Sequence, residues 1–233
     1  MIKVWKPLFY IFYKDSLLDK AYRDSYRMFK LTQQMFLESK KSLRQEDLND
    51  INIDIYDADA KVNKFERKVR KKVFRHLAER GGDEIYSSLL LISVIIDIER
   101  IGDYTKNVLE LAKNYQGKLK CDSYEEDIKK VESAVEDSFI RVLKQFEFSE
   151  KVDAEKLLKE YYWVNKLCDQ KASDLITEKD KSISSCDAVA LALYIRYLKR
   201  INSHLRNIST SVINPFDKIG FTPGLKNEDQ EEK

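Results

Sequence analysis

The sequence predicts an all-α fold of two tandem three-helix bundles with six long helices. Six glycines and three prolines in 233 residues leave few positions for the tight turns of a β-sandwich or β-meander, so the elements must be long. Apolar residues recur at three- to four-residue spacing along six segments, which indicates amphipathic helices. Two short motifs recur about 100 residues apart, which predicts a duplicated structural unit.

Charge and cysteine content argue against several classes of protein. The chain has 42 Lys plus Arg against 40 Asp plus Glu, without the strongly basic balance of most nucleic-acid binders, so no nucleic-acid partner is predicted. An adaptor that binds nucleic acid through a basic helix is the third of three functional interpretations of the sequence. Cys121, Cys168 and Cys186 are odd in number and lack CxxC spacing, which favours a reducing compartment over zinc fingers or disulfides. The longest apolar stretch, residues 89–96, is too short to cross a bilayer, so we expect a cytoplasmic protein.

The predicted domain organisation has four parts. Residues 1–14 form a basic, aromatic N-terminal segment without the features of a signal peptide, and we expect it to pack on the first helix. The alternative is that it lies on a membrane surface or a partner. The two three-helix repeats span residues 15–116 and 117–213, and residues 214–233 are a C-terminal extension with a disordered tail.

The first repeat is predicted to contain helices over residues 15–43, 49–79 and 84–115. The second of them has the cleanest apolar stripe, comprising Ile51, Ile55, Ala58, Val62, Phe65, Val69, Val73 and Leu77. Gly81 can adopt the left-handed conformation that ends this helix, and Asp83 is the predicted N-cap of the next one.

The third predicted helix carries the acidic residues of greatest interest. One line along it comprises Ile85, Leu89, Ile92 and Ile96, followed by Glu99, Asp103 and Glu110. We expect the helix to change character at mid-length, with later apolar residues on the opposite side. Glu99 and Asp103 stand one turn apart, where like charges destabilise a helix unless a cation compensates. A hard metal cation would do so; the alternative is a solvated edge with Lys106 as counter-charge.

The second repeat is predicted to contain helices over residues 123–148, 153–178 and 187–212, the last with Asp187 as N-cap. The apolar stripe of the first comprises Ile128, Val131, Val135, Phe139, Val142 and Phe146, and that of the last comprises Leu191, Ile195, Leu198, Leu205, Ile208 and Val212. The VNKF sequence at 62–65 recurs as VNKL at 164–167, and ERIGDYTKNV at 99–108 recurs as KRINSHLRNI at 199–208. Order and spacing are preserved between the two copies.

Residues 97–110, DIERIGDYTKNVLE, closely resemble the signature motif of the PhoU family, approximately D-x-E-R-I-G-D-H-x-x-N-I-x-E. The resemblance extends over residues 15–212, because PhoU proteins also consist of two three-helix repeats. It implies a cytoplasmic, non-catalytic regulator of phosphate uptake and phosphate-starvation signalling. Its implied partners are a phosphate transporter and a sensor histidine kinase at the membrane, and it implies a homodimer with peripheral membrane association and no transmembrane segment.

The resemblance also implies iron or zinc bound by E/D-x-x-x-D pairs. Glu99 and Asp103 match the first pair, while Glu66 and Glu110 are weaker candidates. The second repeat has Lys199 and Ser203 at the ligand positions and Asn202 in place of the glycine, so we expect its metal site to be lost. Tyr104 occupies the usual histidine position; His204 occupies the corresponding position in the second repeat, where a hydrogen-bonded role is expected more than a ligand role.

The second helix also carries a predicted partner-binding patch. Its residues are Arg67, Lys68, Arg70, Lys71, Lys72 and Arg75, which suit an acidic protein surface or anionic lipid headgroups. The alternative is a solvated face, because acid near the start of a helix and base near its end complement the helix dipole without a partner.

We predict no catalytic residues. The sequence contains no GxSxG, Walker or HExxH motif, and only two histidines are available for acid-base chemistry. The function that the PhoU resemblance implies is a non-catalytic adaptor that couples a phosphate transporter to a sensor kinase. The alternative function is a metal-binding helical scaffold of the same fold without a direct signalling role.

Overall fold

The computed structural model of the chain describes residues 16–44, 53–148 and 150–222. Over these residues the protein consists of α-helices and short 3-10 turns, without a strand. The helices are α1 (Leu17–Arg44), α2 (Ile55–Arg80), α3 (Ile85–Asn114), α4 (Glu125–Phe148), α5 (Lys151–Glu160), α6 (Trp163–Ile176) and α7 (Ser185–Ile213). The all-α prediction is confirmed, while the aromatic segment 1–14, Ile51 and the C-terminal tail lie outside the described residues.

Side-chain caps determine where the first two helices begin. The backbone N–H of Asp19 donates to Ser16 Oγ at 3.1 Å, and the N–H of Ser16 donates back to Asp19 Oδ2 at 3.2 Å. This reciprocal capping satisfies two donors at the start of α1. Asp54 caps α2 by accepting from the N–H groups of Tyr56 and Asp57 at 2.9 and 3.1 Å, so α2 begins later than predicted.

Two of the predicted N-caps are wrong. Gly81 has the expected positive φ of 68° at the end of α2, but residues 81–84 then form a 3-10 turn and α3 is preceded by Glu84, not Asp83. Ser184, not Asp187, caps α7, because its Oγ accepts from the N–H of Asp187 at 3.1 Å. The Asp187 carboxylate instead accepts from the hydroxyls of Ser184 and Tyr115.

The fifth predicted helix is two helices, α5 and α6, separated by a turn at Tyr161 and Tyr162. At this turn the Val164 N–H donates to the Tyr161 carbonyl at 3.3 Å, three residues back instead of four. The Tyr161 hydroxyl donates to Asp137 Oδ2 of α4 at 2.8 Å, which holds the turn against the neighbouring helix. Three consecutive aromatic residues, including Trp163, are also weaker helix formers than straight-chain residues.

The helices pack as two groups joined by α3 and α7. Helices α1, α2 and α3 contact one another, and α4, α5 and α6 each pack on α7. The α3 and α7 helices run antiparallel, since the Tyr104 ring stacks on His204 at 5.8 Å and the Tyr115 hydroxyl donates to Asp187. Both groups share one continuous apolar core.

One face of α3 is buried along its whole length, so the predicted change of character at mid-length is wrong. The buried residues are Ser88, Leu90, Leu91, Val94, Ile95, Ile98, Ile101, Gly102, Thr105, Val108, Leu109 and Ala112. The other line leaves Ile85, Leu89 and Ile96 exposed. Glu99, Asp103 and Glu110 on this line therefore continue the outer face of α3, whose earlier residues are aliphatic. By contrast, the predicted stripes of α4 and α7 are buried throughout.

Candidate functional site

The candidate site lies where α3 crosses α2, with Gly102 of α3 at the crossing. A Cβ added at Gly102 would lie 3.4 Å from Val62 Cγ1 and 3.6 Å from Thr32 Cγ2, which is ordinary van der Waals contact. A side chain longer than alanine would therefore press on both neighbouring helices. Glu99 and Asp103 flank this contact on α3, one turn apart, so the acidic pair lies beside the crossing with α2.

Glu99 lies in a locally negative environment. Its side chain is only 17% exposed. Burial raises the pKa of its carboxyl group, and the charge of Asp103 raises it further, as do those of Glu66 and Asp59 on α2. The charge of Arg100 opposes the shift in this pKa, with its Nε 3.6 Å from Glu99 Oε2. The fold therefore brings Glu66, a weaker predicted ligand, to the same site.

Cations of α3 compensate the other carboxylates more fully. Lys106 Nζ donates to Asp59 Oδ2 at 3.1 Å and lies 3.9 Å from Asp103 Oδ1, while Arg100 Nη1 donates to Asp103 Oδ2 at 3.2 Å. Burial alone would lower the pKa of Lys106, but Asp59, Asp103 and Glu110 raise it. Lys106 thus supplies the predicted counter-charge near Asp103, although it lies closer to Asp59.

The donor set of this site fits a metal only in part. Glu99 and Asp103 supply two carboxylates, yet no three Asp, Glu, His or Cys side chains of the described residues are grouped as metal ligands. Glu66 Oε1 is bound by Arg70 at 2.7 Å. Glu110 follows Glu99 by roughly 16 Å along the helix axis and is not brought to the site. Any metal here would need further ligands from water or another molecule, so metal binding stays a prediction.

The corresponding position in the second half is closed by its own polar contacts. Lys199 Nζ donates to both carboxylate oxygens of Asp169 at 2.5 Å. Asn202 is fully buried and its Nδ2 donates to Asn165 Oδ1 at 3.0 Å, while Asn165 Nδ2 donates to Ser203 Oγ at 3.0 Å. No carboxylate pair exists at these motif positions, as the sequence predicted.

A polar cluster at the joint between α3 and α7 was not predicted. His204 Nδ1 lies 2.7 Å from Asp97 Oδ1, and Asn207 Nδ2 donates to the same oxygen at 3.2 Å. The ring centroids of Tyr104 and Tyr197 are 6.3 Å apart. Residues 97 and 197, like residues 104 and 204, correspond under the duplication, so the 97–204 and 104–197 contacts are equivalent. The 100-residue offset was therefore the signal that could have revealed this cluster.

The predicted partner-binding patch on α2 is divided into bound and unbound cations. Lys72 and Lys68 contact Asp24 Oδ2 of α1 at 2.6 and 3.1 Å. Burial alone would raise the pKa of Asp24, but these two lysines lower it. Arg70 pairs with Glu66. Among the described residues, Arg67, Lys71 and Arg75 have no such partner, so the patch is smaller than the sequence indicated.

Exposed aliphatic side chains on α3 and α7 form two patches that the sequence analysis missed. They are Leu89 with Ile96 on α3 and Val189 with Leu193 on α7, and we call them the outer aliphatic pairs. Because the helices run antiparallel with Tyr115 beside Asp187, the two pairs lie toward opposite ends of the joint. Arg196 of α7 is also exposed and has no ion pair among the described residues. The sequence signal was present as the line through Ile85, Leu89 and Ile96, but periodicity alone does not distinguish a buried from an exposed line.

Comparisons with known proteins agree on one family. The family model of the PhoU domain matches residues 26–112, which include α2, most of α1 and the acidic pair of α3. No curated protein matches the chain by sequence. Within the described residues, no helix combines the length and hydropathy needed to traverse a bilayer.

Two solved structures have a similar fold. The crystal structure of PhoU from Pseudomonas aeruginosa matches with a TM-score of 0.73 and 20% identity over 84% of this chain and 95% of that chain. The crystal structure of the phosphate transport system regulatory protein PhoU from Streptococcus pneumoniae matches with a TM-score of 0.72 and 14% identity, over 89% of this chain and 98% of that one. The similarity therefore extends across both helical groups.

Proposed function

Because residues 26–112 match the PhoU domain, we propose that this chain is a PhoU protein, a non-catalytic regulator of phosphate transport and of the phosphate-starvation response. The observation that carries this proposal is the PhoU domain match over residues 26–112 together with a shared fold over both halves. The similar protein from Streptococcus pneumoniae is a phosphate transport system regulatory protein. The proposal includes action at the cytoplasmic face of the transport system, as a homodimer.

The regulatory role is tested by deleting the gene in its own host. Phosphate uptake and the expression of a phosphate-starvation reporter are measured in phosphate-rich medium, with and without the gene on a plasmid. We expect the deletion to raise reporter expression and the plasmid to restore repression. Unchanged uptake and reporter expression in the deletion strain would contradict the proposal.

The finer proposal is an adaptor that couples a phosphate transporter to a sensor kinase through the outer aliphatic pairs. Leu89, Ile96, Val189 and Leu193 are exposed apolar side chains on the two helices that join the halves. Neighbouring exposed apolar side chains suit a protein-binding site. One pair lies on each repeat, toward opposite ends of the joint, so each of the two partners would have its own contact site.

The adaptor proposal is tested with affinity-tagged protein and detergent-solubilised transporter and kinase. We expect Leu89→Glu and Val189→Glu to reduce co-purification at least tenfold, because a buried interfacial charge is costly. Ile140→Glu on α4, where the native side chain is also exposed, is the matched control and should retain both partners. Equal retention by all three variants would remove the outer aliphatic pairs from the proposal. Light scattering of the same preparations measures whether the protein is a dimer.

We also propose cation binding at Glu99 and Asp103. These carboxylates stand one turn apart, and the largely buried Glu99 is only partly compensated by Arg100. When bound, a metal would neutralise this pair and stabilise the fold by mass action. Elemental analysis and thermal shift with Fe²⁺ or Zn²⁺ compare the wild type with the Glu99→Gln, Asp103→Asn double variant. The control is Asp169→Asn in the second half. Equal metal content in wild type and double variant would rule out this site, and with it the alternative of a metal-binding scaffold.

A further inference from the structure

Among the described residues of the first repeat, the most exposed large apolar side chain lies among basic residues. Phe74 of α2 is 74% exposed. Lys64, Arg67, Lys71 and Arg75 are also exposed on α2, and their spacing of three, four and four residues, with Phe74 at i+3 from Lys71, puts them on one face of the helix. We call these five residues the α2 crest.

The cations of the crest are available for an external partner. Neighbouring Lys68 and Lys72 are held by Asp24 and Arg70 by Glu66, whereas the four cations of the crest make no ion pair or hydrogen bond with any described residue. No Asp or Glu interrupts the run of residues 67–78. The crest therefore presents four positive charges and one large apolar side chain to solvent.

The second repeat supplies a natural comparison. Residue Ile176 follows Phe74 by 102 positions, the offset of the repeated VNK motif, and it is 79% exposed at the end of α6. The residues at the positions of the four crest cations are Lys166, Asp169, Ser173 and Thr177. Both repeats thus expose an apolar side chain at this position, but only the first surrounds it with positive charge.

We propose that the α2 crest docks directly on an anionic bilayer surface, with Phe74 inserted at the boundary between headgroups and acyl chains. Lysine and arginine near such a surface are attracted by the negative potential of acidic lipids, and an aromatic side chain on the same face adds apolar burial. This inference goes beyond the proposed regulation of phosphate transport and does not depend on it.

A lipid surface suits the crest better than an acidic protein does. A specific protein interface buries about 800 Å² on each partner around an apolar centre of several residues, and the crest offers one apolar side chain on the convex surface of a single helix. A bilayer surface requires no matching pocket, because its phosphate groups form an extended negative layer. Free cations without a companion acid are complementary to that layer in charge.

The test is co-sedimentation of the full chain with vesicles of equal parts phosphatidylglycerol and phosphatidylcholine, against vesicles of phosphatidylcholine alone. We expect binding to the acidic vesicles that weakens steeply with salt, since screening shortens the reach of surface charge. Replacing one crest cation, as in Lys71→Gln, should lower the partition coefficient about fivefold. Phe74→Ala should lower it about tenfold or more.

Matched variants in the second repeat distinguish specific docking of the α2 crest from nonspecific adsorption of the protein to vesicles. Ile176→Ala removes an equally exposed apolar side chain, and Lys166→Gln removes an equivalent lysine; both should leave the partition coefficient within about twofold of wild type. Circular dichroism and thermal melting check that all variants fold. A decrease in the partition coefficient with Ile176→Ala as large as that with Phe74→Ala would overturn the proposal. Equal binding to acidic and neutral vesicles would also overturn it.

The alternative partner class is an outcome of the same experiment. Polyglutamate immobilised on beads is the probe for an acidic polypeptide. Capture by these beads that requires Arg67 and Lys71, with no binding to phosphatidylglycerol vesicles, would overturn the lipid proposal and assign the crest to an acidic protein. Absence of binding to both probes would overturn the assignment of the crest as a docking site.

Discussion

The crossing of the second and third helices is built differently in the two halves. In the first half, Gly102 packs against Val62, and Glu99 carries negative charge that its surroundings do not fully compensate. In the second half, a buried Asn202 donates to Asn165, and Lys199 is neutralised by Asp169. The charge at the first crossing is thus only partly compensated, while the charge at the second is neutralised by its own partner. A duplicated scaffold can therefore retain its packing while its two copies differ in local charge.

The same contrast holds on the outer face of the second helix of each half. Phe74 and Ile176 are both strongly exposed, so exposure of an apolar side chain here does not depend on the charges nearby. Asp24 binds two lysines of α2 and leaves the crest cations free, whereas Asp127 of α4 binds Lys171 of α6 at 2.6 Å. The positive charge that the second helix of each half presents to solvent therefore depends on which of its cations the neighbouring helices pair.

The largest expected effect tests whether the halves can be treated as separate units. Arg44 at the end of α1 is bound mainly by second-half residues: its Nε lies 3.0 Å from Glu132 Oε1, and its Nη2 donates to Glu125 Oε1 at 2.6 Å. Arg44→Ala leaves the buried Glu132 carboxylate without this cation, so urea unfolding should show a loss of about 3–5 kcal/mol.

Lys40→Ala is the control for this prediction. Lys40 also pairs across the halves, with Glu136, but both side chains are a quarter to a third exposed, so its loss should cost below about 1 kcal/mol. Equal losses of unfolding free energy for Arg44→Ala and Lys40→Ala would show that the buried contacts of Arg44 do not hold the halves together. The halves could then be compared as separate units.

An intermediate effect is expected from exchanging the residues at the two crossings. Gly102→Asn puts a polar side chain against Val62 and Thr32, and overpacking of this kind costs about 1–3 kcal/mol. Asn202→Gly removes the hydrogen bond to Asn165 and opens a cavity at a cost of similar size. Thermal melting of both variants measures the two losses, and a neutral Gly102→Asn would show that the first crossing can also close like the second.

The smallest effect concerns the charge at the motif. Glu99→Gln should raise the free energy of unfolding by up to about 1 kcal/mol near pH 7 in metal-free buffer, because the pKa of Glu99 is raised by burial and by Asp103. The destabilisation from Glu99 is absent below the ordinary carboxyl pKa of about 4.3 and grows as pH rises through the raised pKa of the folded state. Urea unfolding at both ends of this range measures it.

Lys199→Gln provides the opposite sign for comparison. Its ion pair with Asp169 is stabilising, although Asp169 is largely exposed, so removal should lower the free energy of unfolding by at most about 1 kcal/mol. If both substitutions changed stability in the same direction, the contrast between an uncompensated and a compensated charge at the two motifs would be wrong.

The sequence was sufficient for the helical class, for most helix positions and for the acidic pair, since these depend on local periodicity and on short motifs. It also indicated the loss of the acidic pair in the second repeat, because Lys199 and Ser203 stand at those positions. The apolar stripes predicted for α4 and α7 are buried as expected, because the spacing of apolar residues within one helix depends only on that helix.

Three-dimensional packing was needed wherever partners are distant in the chain. Only the fold shows that Asp24 removes Lys68 and Lys72 from the basic patch, that Asp97 meets His204, and that the aliphatic line of α3 faces outward. The physical reason is that periodicity reports which residues share a face, whereas burial and charge pairing depend on the helix that packs against that face. Sequence alone therefore specifies the helices and their motifs, and the neighbouring helices decide which side chains stay available for binding.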